Sequence, residues 1–346
     1  MLCVSVTMTV LPFAIAAAAQ PELHRSTGGA DSVAMPSCSS STSISYGAVP
    51  KRVSISKDGA IACLTFHGSD GDVEFTDIAV TSGDISPFFD IFSPSDTSTC
   101  AGPYSQPTLC TVDASGTWTI EVSDSENDET GSMNVAIQKL DSAAGCASIS
   151  YGPKVTKGKV KTPAAITCYK FSQSAGQVVY IRDVGIKGSI GTPDMLLAAP
   201  DGSEPCGNGA GTLECSIGES GTQSLLLYST EGDTGSFDVS DQRLTSPVDC
   251  PKITKGGAAA SSEISTIGEV QCFEFKGKDK EKVTVSLADV TGTLDPLMDL
   301  FNPSGNSVLA GPTTSLSYTL TAKGTWVVLV EDSSGKGLGD FEISLT

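Results

Sequence analysis

Gly324-Thr-Trp-Val-Val-Leu-Val330 has two earlier counterparts in the chain, Gly116-Thr-Trp-Thr-Ile-Glu-Val122 and Gly221-Thr-Gln-Ser-Leu-Leu-Leu227. Each is a glycine followed by a short run rich in β-forming residues, the mark of a strand entered through a turn. Working outward, each run is preceded by a stretch that ends in proline: Asp90-Ile-Phe-Ser-Pro94, Asp194-Met-Leu-Leu-Ala-Ala-Pro200 and Asp299-Leu-Phe-Asn-Pro303. Each is followed by Gly131-Ser-Met-Asn-Val135, Gly235-Ser-Phe-Asp-Val239 or Gly339-Asp-Phe-Glu-Ile343. Further upstream stand Cys63-Leu-Thr-Phe66, Cys168-Tyr-Lys-Phe171 and Cys272-Phe-Glu-Phe275. Alternation at period two sends one set of side chains inward and the other outward. Several such strands per hundred residues, separated by Gly, Pro, Asp and Ser, predict a β-sandwich in each copy.

The cysteines set the period. Cys38, Cys146 and Cys250 begin the copies, and Cys63, Cys168 and Cys272 follow 25, 22 and 22 positions later. A period near 105 residues is too long for a solenoid unit, so each copy owns a core. Domains are expected over 38–145, 146–249 and 250–346, joined by the short linkers Asp141-Ser-Ala-Ala-Gly145 and Thr245-Ser-Pro-Val-Asp249. Such linkers suit a semi-rigid rod. Ten cysteines allow many pairings, and the repeat pairs Cys38 with Cys63, Cys146 with Cys168, and Cys250 with Cys272. Each bond closes a loop worth roughly 3 kcal/mol and pins the start of a copy to its first core strand. Cys100 with Cys110 and Cys206 with Cys215 form a second pair in the first two copies, expected to staple a hairpin-like loop. The third copy has Ser307-Val-Leu-Ala-Gly-Pro312 there.

Met1 to Gln20 is an uncharged apolar run ending in small residues, and reads as a signal peptide over 1–19 despite lacking a basic start. A membrane anchor is the rival reading. It is weakened by the shortness of the run and by Pro12. Residues 20–37 read as a flexible lead-in. Secretion agrees with the cysteine usage. With 21 Lys and Arg against 40 Asp and Glu, the chain carries a net charge of −19. That charge repels phosphate backbones and anionic membranes, so nucleic acid is not an expected partner. No membrane span is expected in the mature chain. The first copy is the most acidic, with 15 acidic and 4 basic residues.

The third copy carries a family resemblance best, through Leu294-Asp-Pro-Leu-Met-Asp-Leu-Phe-Asn-Pro-Ser-Gly305, Ser317-Tyr-Thr-Leu-Thr-Ala-Lys-Gly-Thr-Trp326 and Gly339-Asp-Phe-Glu-Ile-Ser-Leu345. It resembles the bacterial pre-peptidase C-terminal domain over about 70 residues of each copy. The resemblance implies an all-β chain of three tandem jelly-roll-like β-sandwich domains, disulfide-stapled. Such domains sit beside secreted proteases, and some relatives bind collagen or calcium. The acidic Asn-Asp-Asp-type turn of that family is absent from all three copies.

Catalytic chemistry finds little footing. The two histidines, His24 and His67, do not recur between copies, so neither a nucleophile–base pair nor a histidine zinc cluster is expected. Asp124, Glu126, Asp128 and Glu129, in the acidic loop Ser123–Gly131, are the candidate ligands for calcium, with oxygen donors of the right kind. A solvated hairpin loop is the alternative. Asp90, Asp194 and Asp299 are aligned at one recurring position, read as hydrogen-bonding a turn backbone, with a metal ligand as the alternative. Trp118, Gln223 and Trp326 share another, read as core rather than as a sugar-stacking platform. The functional expectation is a secreted, non-catalytic structural or adhesive protein. The alternatives are an array of carbohydrate- or protein-binding accessory modules, calcium-dependent or not, and, at the margin, a secreted hydrolase. Partners are an extracellular protein, a polysaccharide or a second copy of the chain.

Overall fold

The computed structural model describes residues 38, 40–103, 108–206 and 208–346, and the expected signal peptide, lead-in and His24 lie outside these. Every regular element is a strand. The first repeat holds β1 (Ser41–Ser43), β2 (Lys51–Ile55), β3 (Ala62–Gly68), β4 (Val73–Gly83), β5 (Pro87–Phe92), β6 (Ser98–Pro103), β7 (Thr108–Thr111), β8 (Gly116–Asp124) and β9 (Gly131–Lys139). The second holds β10 (Ala147–Ser148), β11 (Gly152–Val160), β12 (Thr167–Gln173), β13 (Val178–Gly188), β14 (Asp194–Ala198), β15 (Asn208–Ala210), β16 (Thr212–Ser216), β17 (Gly221–Tyr228) and β18 (Gly235–Arg243). The third holds β19 (Ala260–Ile264), β20 (Val270–Gly277), β21 (Lys282–Ala288), β22 (Pro296–Phe301), β23 (Ser307–Pro312), β24 (Ser315–Thr319), β25 (Gly324–Asp332) and β26 (Gly339–Leu345).

One topology is used three times. The first repeat forms sheets β1-β3-β8-β5-β6 and β2-β9-β4-β7, and the second β10-β12-β17-β14-β15 and β11-β18-β13-β16. The third forms β20-β25-β22-β23 and β19-β26-β21-β24, with a lone parallel bridge from Lys252 to Glu274 where the others have a short first strand. Three separate apolar cores fill the space between paired sheets, around Trp118, Phe237 and Trp326.

All five cysteine pairs are bonded as the repeat implied. The bond Cys38–Cys63 holds β1 parallel to β3, with Ser41 opposite Cys63. The second bond differs from a hairpin staple. Cys100 lies on β6 and Cys110 on β7, which belong to different sheets, so the bond ties one sheet to the other. In the third repeat the corresponding positions, read through the strand registers, are Leu309 and Tyr318. Both pack on the core, and the Tyr318 ring lies 6.0 Å from Trp326. Apolar contact there replaces a covalent bond.

The tryptophan position explains a second covariation. The Trp118 and Trp326 indoles are fully buried, and their Nε1–H groups donate to the Ala114 carbonyl at 2.9 Å and the Ala322 carbonyl at 3.2 Å. In the second repeat, Gln223 Nε2 donates to the equivalent Glu219 carbonyl at 3.0 Å. Amide and indole meet the same backbone oxygen. The indole needs room across the strand pair: a Cβ on Gly277 would come within 2.9 Å of Trp326, and one on Gly68 within 3.1 Å of Trp118. The smaller Gln223 leaves that room, and Gln173 occupies it. Both amide atoms of Gln173, and Gln223 Oε1, are buried without a hydrogen-bond partner among the described residues. Each such atom costs about 1–3 kcal/mol. The paired substitution Gln173→Gly with Gln223→Trp is therefore expected to raise the melting temperature of the protein. Gln223→Trp alone is expected to lower it, because the indole meets the Gln173 side chain. Calorimetry of the three proteins decides the matter, and an additive pair would count against this account.

Candidate functional site

The surfaces that set this molecule apart from three separate sandwiches are the junctions between repeats. At the first, the outer face of β4 and its neighbours presents Phe75, Leu140, Val73 and Leu109 to Leu196, Ala198, Leu226 and Tyr228 on β14 and β17. The Phe75 and Tyr228 rings meet edge to face at 5.0 Å. At the second junction the same two faces meet again, one repeat further on. Val178, Tyr180 and Leu244 pack on Val270, Cys272, Phe301, Val327 and Leu329. A head-to-tail contact is thus made twice with equivalent strands.

The second junction adds a buried polar set. Arg182 pairs with Glu331 at 2.7 Å, both side chains under a tenth exposed. Arg182 Nη2 also donates to the Asp332 carbonyl at 2.7 Å, and Tyr180 Oη donates to Glu331 at 3.0 Å. Ser240 Oγ and Gln242 Nε2 donate to the Gly268 and Val270 carbonyls at 2.6 and 2.9 Å. Burial pushes the Glu331 carboxyl up, against the pull of Arg182. At the first junction the position of Arg182 is taken by Asp77. This carboxyl is buried, and desolvation pushes it up to about 7, with a further contribution from Asp194.

Two turns of each following repeat touch its predecessor. In the second and third repeats the proline turns read Pro-x-Gly, and a Cβ on Gly202 or Gly305 would lie 2.7 or 2.6 Å from the Cβ of Val73 or Val178. The first repeat carries Asp96 there, with the same left-handed backbone (φ 60°). Next to it in function, Gly232 and Gly335 approach Ala79 and Val184, and Asn127 (φ 60°) holds that place in the first repeat. The acidic loop of the first repeat is therefore the solvated counterpart of a docking turn.

That loop does not gather its carboxylates. Asp124 is buried at the end of β8, and accepts from the Ser86 N–H at 2.9 Å with one oxygen and from the Asp128 and Glu129 N–H groups at 3.2 and 3.3 Å with the other. Burial raises its pKa, and these backbone donors outweigh the effect and hold it below the usual carboxylate range. Asp332 holds the equivalent loop of the third repeat in the same way, bonded to Asp295, Ser334 and Lys336. Glu126 and Asp128 are exposed and Glu129 half-buried. Among the described residues no three His, Cys, Asp or Glu side chains converge as a metal site. Millimolar Ca²⁺ is expected to leave the melting temperature unmoved, while Asp124→Ala lowers it by freeing the loop. A calcium-dependent rise that Asp124→Ala abolishes would reverse this assignment.

The alignment of Asp194 with Asp90 and Asp299 is corrected by register. Asp90 stands opposite Glu121 and Asp299 opposite Leu329, but the matching residue opposite Leu226 is Leu196. Asp194 lies two residues earlier and accepts from Thr230. Asp90 and Asp299 accept from the Ser98 and Ser307 hydroxyls on the next strand, not from a turn backbone. His67 is exposed on β3.

No family model matches the chain, and no curated protein matches it. Among solved structures, a periplasmic inhibitor of g-type lysozyme from Aeromonas hydrophila is similar over 28% of this chain and 96% of its own, at 18% identity and a TM-score of 0.23. The CUB1-EGF-CUB2 domains of rat MASP-1 cover 58% of this chain and 100% of their own, at 7% identity and a TM-score of 0.19. A triple jelly roll from an archaeal virus turret covers 87% and 89%, at 9% identity and a TM-score of 0.18. Likenesses of this size carry no argument about function. The chain is an all-β, disulfide-bonded array. Its five disulfides are consistent with an oxidising compartment, extracellular or periplasmic.

Proposed function

We propose that this is a secreted, non-catalytic structural or adhesive protein, whose three modules resemble the pre-peptidase C-terminal domain and act as one rod-like spacer. The repeated head-to-tail junction carries the reading: the same two faces meet at both joins, each with its own buried apolar cluster. A chain whose modules needed only a tether would keep these faces polar. The third repeat does so on the corresponding face, where Thr284 stands in place of Phe75 and Tyr180.

Small-angle scattering of the chain from residue 20 tests the proposal. One rigid body, unchanged between low and high salt, is the expected result. A profile that only an ensemble of loosely joined modules can fit would remove the spacer. Turnover of a peptide or polysaccharide panel would remove the non-catalytic reading.

A further inference from the structure

In this acidic chain one short stretch runs against the prevailing charge. Lys157, Lys159 and Lys161 alternate along β11 and just past its end, and all three are exposed. The residues between them turn inward, and a Cβ on Gly158 would lie 2.2 Å from the Phe237 ring. The lysines border a groove of about 550 Å³ between the first two repeats. Its other lip is the loop of the first repeat that carries Val49, a side chain 75% exposed. A groove of this size lies within the range that accepts small ligands and short oligomers.

Lysines on an edge strand also guard against edge-to-edge pairing, and β11 is outermost in its sheet. The other repeats show that the fold does not require three of them. Registers place Arg52, Ser54 and Ser56 at the same positions in the first repeat, and Ser261, Glu263 and Ser265 in the third. Those three positions hold one arginine in the first repeat and one glutamate in the third. Lys157 stands across from Asp238, while Lys159 faces Ser236. Neither Lys159 nor Lys161 has an ion pair among the described residues.

We infer that this groove binds an acidic polysaccharide, which gives the adhesive reading above its partner and rests on that reading. Same-face residues on a strand stand about 6.6 Å apart, so the three lysines are rooted along a row of roughly 13 Å. Such a row fits a linear polymer with charge at regular intervals better than one small anion. Apolar Val49 across the groove suits the C–H faces of sugar rings. The surrounding acidic surface weakens the hold of a nucleic acid, whose charge is denser.

The test is retention of the whole chain from residue 20 on immobilised polygalacturonate, heparin, neutral dextran and single-stranded DNA, under a NaCl gradient. Retention on polygalacturonate or heparin, and on neither of the others, is expected. Polygalacturonate alone would assign carboxylate as the recognised group, and heparin alone sulfate. Lys159→Gln with Lys161→Gln is expected to weaken binding roughly tenfold and to flatten its salt dependence. Its melting curve should stay unchanged, since both side chains are in solvent. Equal retention of the double variant, no retention on either acidic glycan, or tighter retention on DNA would overturn the inference. Those outcomes leave the scattering result untouched, so a failed groove and a failed spacer are told apart.

Discussion

A calorimetric pH series is expected to give the highest melting temperature near pH 4, with a fall of more than roughly 10 °C by pH 9. The cause is a set of carboxyls placed where water does not reach. Glu74 is fully buried in the first core, and desolvation pushes it up to about 8 against the hydrogen bond it accepts from the Thr76 hydroxyl. Asp77, Asp183 and Asp299 are each pushed up to about 7, with burial the largest cause. Asp241, buried in the second core, lies well above its ordinary value for the same reason. In every case the folded value exceeds the unfolded one, so the fold prefers the protonated acid. Stability is whole below about pH 4, falls as pH rises, and is lost once pH passes the folded values near 7 and 8. For a shift the size of that at Glu74 the loss is roughly 5 kcal/mol. At the acid end, Asp124, held low by backbone donors, and Asp332, held low by the Ser334 hydroxyl and backbone donors, lose their loops' support on protonation. The maximum therefore lies between the two sets.

One variant isolates the largest contributor. The positions of Glu74 and Thr76 are Val179 and Ile181 in the second repeat, and Val283 and Val285 in the third, all core residues. Glu74→Val with Thr76→Val restores that apolar pair. It should raise the melting temperature at pH 8 far more than at pH 5, because only at the higher pH does the wild type hold a carboxylate in its core. An equal gain at both pH values, or a wild type that grows more stable toward pH 9, would contradict the assignment.

The period of the cysteines made the repeat and all five disulfides readable from spacing alone, because a bond between fixed strands needs fixed separations. The buried tryptophans were readable too, as alternate residues on one strand face. The junctions were not. Val178-Val-Tyr-Ile-Arg-Asp183 is buried on both faces of β13, and a strand buried on both sides has no alternation to show which face meets a neighbour. One signal was available at the proline turns: Pro-x-Gly in the second and third repeats, Pro-x-Asp in the first. The glycine is required where Val73 or Val178 leaves no space for a side chain, and Asp96 holds the same left-handed position in the first repeat. The burial of Glu74 carries no such signal, since a glutamate inside an alternating strand is ordinarily placed on the solvent face.

The second junction gives the other large effect. Arg182→Ala is expected to cost about 3–5 kcal/mol at pH 7, because it leaves Glu331 ionised, buried and without its guanidinium. The first repeat–second repeat contact shows that the pair is not required for the two faces to dock: there the Arg182 and Glu331 positions hold Asp77 and Tyr228, over a comparable apolar cluster. Replacing both partners, Arg182→Leu with Glu331→Leu, should therefore cost far less than the single change, and can even stabilise. Acid should rescue the single variant as well. Burial holds the Glu331 carboxyl above its ordinary value, so lowering the pH neutralises it readily once Arg182 is gone. Three measurements bear on this: melting at pH 7, melting at pH 4, and the rate of proteolysis at the linker 245–249. If the double variant were as damaged as the single one, the ion pair would be the source of the junction's strength. The apolar faces would then be its consequence rather than its cause.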